Sequence, residues 1–286
     1  MNAADFDPTA VHHLPAPAKI NLFLHIVGRR PDGYHLLQTA FRMLDWGDEI
    51  TLRRRDDGEI HRLTDVPGVP ADADLVVRAA RALQAACGSP FGVDIGVRKR
   101  IPMGGGLGGG SSDAATVLIG LNRIWGGGLS RAALQAIGLK LGADVPFFIF
   151  GEAAFAEGVG EDLQALTVPP AWYVLVAPPV SVPTAEIFSA KELTRDTEPL
   201  IMRGFAAHTT RNDMQPTVCG RFPEVAEALA WLSQFGAARM SGSGACIFAS
   251  FDSKEVADQV AGKAPQGWKV WAAAGLDRHP LKDWVV

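Results

Sequence analysis

The chain has few cysteines, little net charge and no long apolar run, and each shortage removes a class of protein. Its three cysteines, Cys87, Cys219 and Cys246, are scattered through 286 residues without metal-ligand spacing, which sets aside a disulfide framework and a structural zinc site. Lys and Arg number 27 against 31 Asp and Glu, a net charge of -4. That balance excludes a broad nucleic-acid footprint while leaving room for a local basic pocket around phosphates. No apolar run approaches membrane-spanning length. The first 20 residues carry acids and prolines where a secretory leader needs a basic start and an apolar core, so the expected location is the cytoplasm, with no membrane partner. What remains is the composition of an ordinary globule, 48% hydrophobic and 20% charged, long enough for a sizeable core and two domains.

Glycine is where the chain is rich. Pro102-Met103-Gly104-Gly105-Gly106-Leu107-Gly108-Gly109-Gly110-Ser111-Ser112 follows the strand-like alternation of Val93, Ile95 and Val97 and precedes Ala114, Val117, Leu118, Leu121 and Trp125 at helical spacing. A flexible linker would lie between domains, not between two patterned elements. Without Cβ atoms, successive backbone N–H groups converge on an anion, and Ser111 or Ser112 is placed to cap the helix whose positive end faces the same point. The loop therefore reads as a phosphate cradle. It lacks the Gly-Lys-Ser/Thr ending of a Walker A loop. It also lacks the acidic residue that a dinucleotide fingerprint places about 20 residues further on, since no Asp or Glu stands between Asp113 and Asp144.

Alternation and spacing predict strands over 20–27, 49–53, 93–97, 147–150, 172–176, 246–250 and 268–272. Helices are predicted over 75–87, after the loop, over 129–141 opened by Ser130, and over 225–235 and 255–261. The prolines after Thr167 suggest a boundary that divides the chain into 1–166 and 167–286. The Arg98-Lys99-Arg100 run reads as a solvated face, with Lys99 a candidate neighbour of phosphate.

The glycine loop closely resembles the ATP-binding motif of the galacto-, homoserine, mevalonate and phosphomevalonate kinases, the GHMP superfamily. Pro15-Ala16-Pro17-Ala18-Lys19-Ile20-Asn21-Leu22 is similar to that family's first motif. Leu141-Gly142-Ala143-Asp144-Val145-Pro146-Phe147-Phe148 is similar to its catalytic-aspartate segment, and Ser241-Gly242-Ser243-Gly244-Ala245-Cys246 to its third motif. Asp32-Gly33-Tyr34-His35 and Ala153-Ala154-Phe155-Ala156-Glu157-Gly158-Val159-Gly160 resemble segments of one branch, whose acceptor is a cytidine-diphospho alcohol. The matches run in order from residue 15 to about 250.

The resemblance implies an α+β fold of two domains, an N-terminal domain that binds ATP and a ferredoxin-like C-terminal domain, with the active site in the cleft between them. It implies ATP as co-substrate, held by Pro102 to Ser112, and transfer to the 2-hydroxyl of that alcohol in the non-mevalonate route to isoprenoid precursors. Another small-alcohol kinase of the superfamily is the alternative. From residue type alone, Asp144 is either a general base or the polar cap of a turn; the resemblance assigns it the base. Lys19, on one strand face with Asn21, is implied to act beside it, with Asn21 orienting the pair or the substrate. Tyr34 and His35 either close a Pro31-Asp32-Gly33 turn or meet a base. The resemblance makes them a cytosine clamp, with Phe188 as the opposite stacking face and Thr184 as a polar contact. Mg2+ is expected with ATP because charge on the outer phosphates needs offsetting, but its ligands are not identified. The expected assembly is a monomer or weak homodimer.

Overall fold

The computed structural model describes residues 6–66, 68–200 and 210–285. In chain order the elements are strands β1 (Val11–Arg29), β2 (His35–Arg55) and β3 (Ile60–Arg62), helix α1 (Leu75–Cys87), strand β4 (Gly92–Arg98), and helices α2 (Gly109–Ile124), α3 (Arg131–Leu139) and α4 (Val145–Phe150). There follow β5 (Ala154–Glu157), β6 (Asp162–Ala165), β7 (Trp172–Ala177), α5 (Thr184–Ser189), α6 (Gln215–Arg221) and α7 (Pro223–Leu232). The chain closes with β8 (Arg239–Met240), β9 (Ile247–Phe251), α8 (Lys254–Ala261) and β10 (Lys269–Leu276). No helix among the described residues is long and apolar enough to cross a membrane.

β2 is the spine, because its 21 residues pair antiparallel with β1, β4, β5 and β10. The path β3-β4-β2-β10-β7-β9-β8 thus carries one hydrogen-bonded sheet from the first half of the chain into the second. β1 is longer than its predicted core of 20–27. Pro15 and Pro17 stand inside β1, which over that stretch pairs on one side with β2, and an edge there has no second ladder for a proline to interrupt.

One core packs α1 to α4 against the first strands, with Leu52, Leu83, Ile95, Leu118 and Phe147 fully buried. A second gathers Val174, Val176, Val218, Val225 and Leu232 beneath α5 to α8. Both draw on residues from either side of position 167, since Leu24 and Ile26 pack in the second and Leu281 and Val285 in the first. A third cluster joins them, with Ala18, Ile20, Leu107, Leu175, Cys246 and Phe248 lying under the glycine loop. Burial pushes the Cys246 thiol up to about 12, so it acts as a small apolar side chain there.

Residues 147–150 correct the predicted strand. They belong to the helix α4, with Pro146 in its first turn and Gly151 in the left-handed conformation (φ 75°) at its end. An apolar run of four does not separate a buried strand from a helix buried on all sides. The proline and glycine at the two ends were the local signals for helix.

Candidate active site

A single open cleft of about 1110 Å³ runs from Asp32–His35 and Phe188 at one end to residues 101–111 at the other, with Lys19, Asn21 and Asp144 between. That volume exceeds the usual range for one small ligand, roughly 300–1,000 Å³.

Strand alternation turns Lys19 and Asn21 of β1 to the same face, as the sequence predicted. Lys19 Nζ donates to Asn21 Oδ1 at 2.6 Å and lies 3.3 Å from Asp144 Oδ2. The lysine side chain is 4% exposed and the aspartate 32%, so the cation is fixed inside the wall while the carboxylate opens to the cleft. Asp144 precedes α4 but makes no capping bond to it, so the local cap role proposed for it from residue type is not the one its carboxylate performs.

The glycine loop is held from behind. Leu107 O accepts from Lys19 N at 3.0 Å, Gly105 O from Cys246 N at 3.1 Å and Gly106 O from Ser241 Oγ at 2.9 Å. Across a planar trans peptide the N–H points opposite to the carbonyl. Three consecutive carbonyls tied into the body therefore turn the N–H groups of Gly106, Leu107 and Gly108 the other way, towards the cleft. Gly106 and Gly108 both sit at φ 72°, and a Cβ on Gly108 would press on Lys19 Cγ and Phe148 Cζ at 3.0 Å. Ser241 Oγ also accepts from Asn21 N at 3.2 Å, which couples the reactive strand to the loop.

α2 starts at Gly109 with Gly108 as its N-cap, and neither serine caps it. This corrects the capping role predicted for Ser111 or Ser112. Residues 102–111 line the cleft, Ser111 among them, whereas Ser112 is fully buried and donates from Oγ to Pro17 O at 2.7 Å. Its hydroxyl serves the loop's foundation, not its mouth.

Lys99 departs from the solvated face expected of its run. It lines the cleft beside the loop while its Nζ reaches Asp48 at 2.5 Å and Asp113 at 2.8 Å. Asp48 also accepts from the backbone N–H of Arg100 and Ile101, so one carboxylate pins the entrance to the loop. Burial raises Asp113 above the ordinary carboxylate range despite Lys99, and burial opposes the protonation of Lys99, which the two carboxylates favour enough to leave it raised. This cluster carries no signal in the sequence, because Lys99 is 14 and 51 residues from its two partners.

At the far end, Tyr34 is 65% exposed at the β1–β2 turn, its N–H donating to Asp32 Oδ1. The His35 ring stacks directly on Phe188, centroids 4.7 Å apart and 24° between planes. Arg195 donates from Nε to His35 Nε2 at 3.2 Å and from its other nitrogens to the carbonyls of Phe188, Ala190 and Leu193. Burial, then Arg195 and Arg29, lower the His35 pKa. Thr184 Oγ1 lies 2.7 Å from Ser243 Oγ at the cleft edge. Arg195 and the third-motif Ser243 were not among the predicted site residues.

Two family models match the chain: GHMP kinases N terminal domain over residues 74–152 and GHMP kinases C terminal over 201–270. A relative from Aromatoleum aromaticum, named 4-diphosphocytidyl-2-C-methyl-D-erythritol kinase, is 61% identical over 97% of the chain and 98% of its own length. The chain belongs to the GHMP kinases. Within them it stands with the relatives of that name, including one from Azoarcus sp. at 63% identity over 93% of the chain and 95% of the relative. The crystal structure of a 4-(cytidine 5'-diphospho)-2C-methyl-D-erythritol kinase superposes with a TM-score of 0.80 at 33% identity, covering 92% of this chain and 99% of that one. A homoserine kinase from Cytophaga hutchinsonii shares the fold, with a TM-score of 0.67 at 17% identity over 97% of this chain and 98% of its own. This GHMP kinase is accordingly an ATP-dependent small-molecule kinase with the α+β two-domain fold that its motifs implied.

Proposed function

We propose that this kinase transfers the γ-phosphoryl group of ATP to the 2-hydroxyl of 4-diphosphocytidyl-2-C-methyl-D-erythritol, in the non-mevalonate route to isoprenoid precursors. The observation that carries the proposal is the continuity of one cleft from the glycine loop, past Lys19 and Asp144, to Tyr34, His35 and Phe188. An acceptor with its alcohol at one end and a pyrimidine at the other would meet Asp144 with the first and the aromatic residues with the second.

Phosphoryl transfer asks for position and charge stabilisation more than for covalent chemistry. The N–H groups of Gly106, Leu107 and Gly108 hold phosphate oxygens, and Asp144 accepts the hydroxyl proton as the oxygen attacks. Lys19, 3.3 Å from Asp144, favours negative charge on the attacking oxygen. Tyr34 and Phe188 supply stacking surface, and His35, Thr184 and Ser243 supply polar contacts at the base end.

Magnesium at a nucleotide site takes most of its ligands from phosphates and water, with only one or two from the protein. Among the described residues no group of three His, Cys, Asp or Glu side chains could hold a metal, and Asp48 and Asp113 beside the loop are already paired with Lys99. We assign the divalent ion to the incoming nucleotide.

The test is ADP release across a panel of acceptors. Rapid turnover with 4-diphosphocytidyl-2-C-methyl-D-erythritol and little with homoserine, mevalonate, galactose or free 2-C-methyl-D-erythritol 4-phosphate is expected. Turnover independent of the cytidine would overturn the acceptor assignment.

A further inference from the structure

Beneath the reactive pair, one buried hydroxyl settles which way the Asn21 amide faces. Thr39, in the first half of β2, is 1% exposed. Its Oγ1 lies 2.5 Å from the carbonyl oxygen of Phe23 and 2.9 Å from Asn21 Nδ2. A carbonyl only accepts, so the single hydroxyl proton goes to Phe23. What remains on Oγ1 is lone-pair capacity, and the amide atom facing it has to be the donating NH2. Oδ1 is thereby turned to Lys19 Nζ at 2.6 Å, an ammonium that only donates. Reversing the amide would set donor against donor at one end and acceptor against acceptor at the other, inside a wall from which water is excluded.

We propose that Thr39 is a positioning residue for phosphoryl transfer: anchored on the Phe23 carbonyl, it presets Asn21 so that Oδ1 holds the Lys19 ammonium beside Asp144. Asn21 accepts one N–H of Lys19, and Asp144 lies 3.3 Å from the ammonium as its ion-pair partner, so the two together hold the cation at the cleft wall. A flexible four-carbon side chain is in this way given one direction before any ligand binds. An error of 1 Å in such a placement costs up to about 10²-fold in rate. The inference rests on Lys19 and Asp144 being the reacting pair.

The experiment compares Thr39→Val, which keeps the shape and removes the hydroxyl, with Thr39→Ser, which keeps the hydroxyl. Thr39→Val is expected to lower kcat at least about tenfold, with KM for ATP and for the acceptor moving less than about twofold and Thr39→Ser recovering most of the rate. In an Asn21→Ala background the same Thr39→Val change should cost less than about twofold more, because residues acting through one another are not additive. If Thr39→Val does not fold, Thr39→Ala takes its place in both backgrounds. Parental kcat in the hydroxyl-free variant, no recovery in Thr39→Ser, or an undiminished loss in the Asn21→Ala background would each overturn the proposal. Asp144→Asn and Lys19→Met serve as controls. Full activity in them would remove the reacting pair and the inference together, whereas their collapse beside an active Thr39→Val would remove the inference alone.

Discussion

The two ends of the cleft are built differently. At the reactive end every named group is tied down. Lys19 is held by Asn21 and Asp144, Asn21 by Thr39 and Ser241, and the glycine loop by three bonds to its own carbonyls. At the recognition end His35 is held, stacked on Phe188 and accepting from Arg195, but Tyr34 stands 65% exposed. Chemistry demands geometry that is paid for before the substrate arrives, so its groups are preorganised. Recognition draws on stacking surface, which the exposed Tyr34 ring offers to an incoming base. The difference predicts that damage at the first end appears in kcat and at the second in acceptor affinity.

The largest expected effect is at Asp144. Asp144→Asn removes the proton acceptor without touching the loop, so turnover should fall by about 10²- to 10⁴-fold while ATP affinity, measured by calorimetry, stays near that of the parent. Lys19→Met should behave similarly, and the double variant should lose less than the product of the two single losses. Near-parental turnover in Asp144→Asn would place the chemistry elsewhere.

Next is Gly106→Val, which tests the cradle. At φ 72° a β-branched residue is strained, and its Cβ would be driven onto the carbonyl oxygen of Ser241. Loss of ATP binding is expected, with circular dichroism separating that loss from unfolding. A folded variant that binds ATP as tightly as the parent would mean that phosphates do not use this loop.

At the other end, Tyr34→Ala should weaken acceptor binding by about 1 to 3 kcal/mol, the worth of one base–aromatic stack, and leave ATP binding unchanged. A defect confined to ATP would return Tyr34 to a role in its turn. Smallest is a pH effect. The His35 pKa lies below its ordinary 6.5, so the ring is neutral at pH 7 and Nε2 is free to accept from Arg195. Because the shift is downward, acceptor KM should be flat above pH 6.5 and rise only as acid protonates the ring against Arg195 and Arg29. A KM that rises between pH 7 and 8 through His35 would contradict this assignment, as checked with His35→Asn.

The same contrast marks how far the sequence could be read. Helix 75–87 matched its predicted ends residue for residue, since Asp74 caps it and Gly88 closes it in the left-handed conformation. Lys19 and Asn21 were placed on one face by alternation alone, and their convergence with Asp144 was implied by motif resemblance. What stayed hidden was whatever depends on a partner distant in the chain. Thr39 is an unremarked polar residue in a strand until β1 and β2 bring it 2.9 Å from Asn21. Lys99 looks like part of an exposed basic run until Asp48 and Asp113 close on it. Arg195 lies 160 residues from the histidine it contacts. The strand predicted at 147–150 failed for a local reason, because four apolar residues carry no period.

The most direct test of the contrast is a pair of crystal structures, without ligand and with 4-diphosphocytidyl-2-C-methyl-D-erythritol bound. The Lys19–Asp144 and Lys19–Asn21 distances are expected to agree between the two within about 0.5 Å, the tolerance of a preorganised site, while Tyr34 passes from exposed to covered against the base. A Lys19–Asp144 pair that forms only in the complex, or a Tyr34 that stays exposed with the acceptor in place, would contradict that expectation.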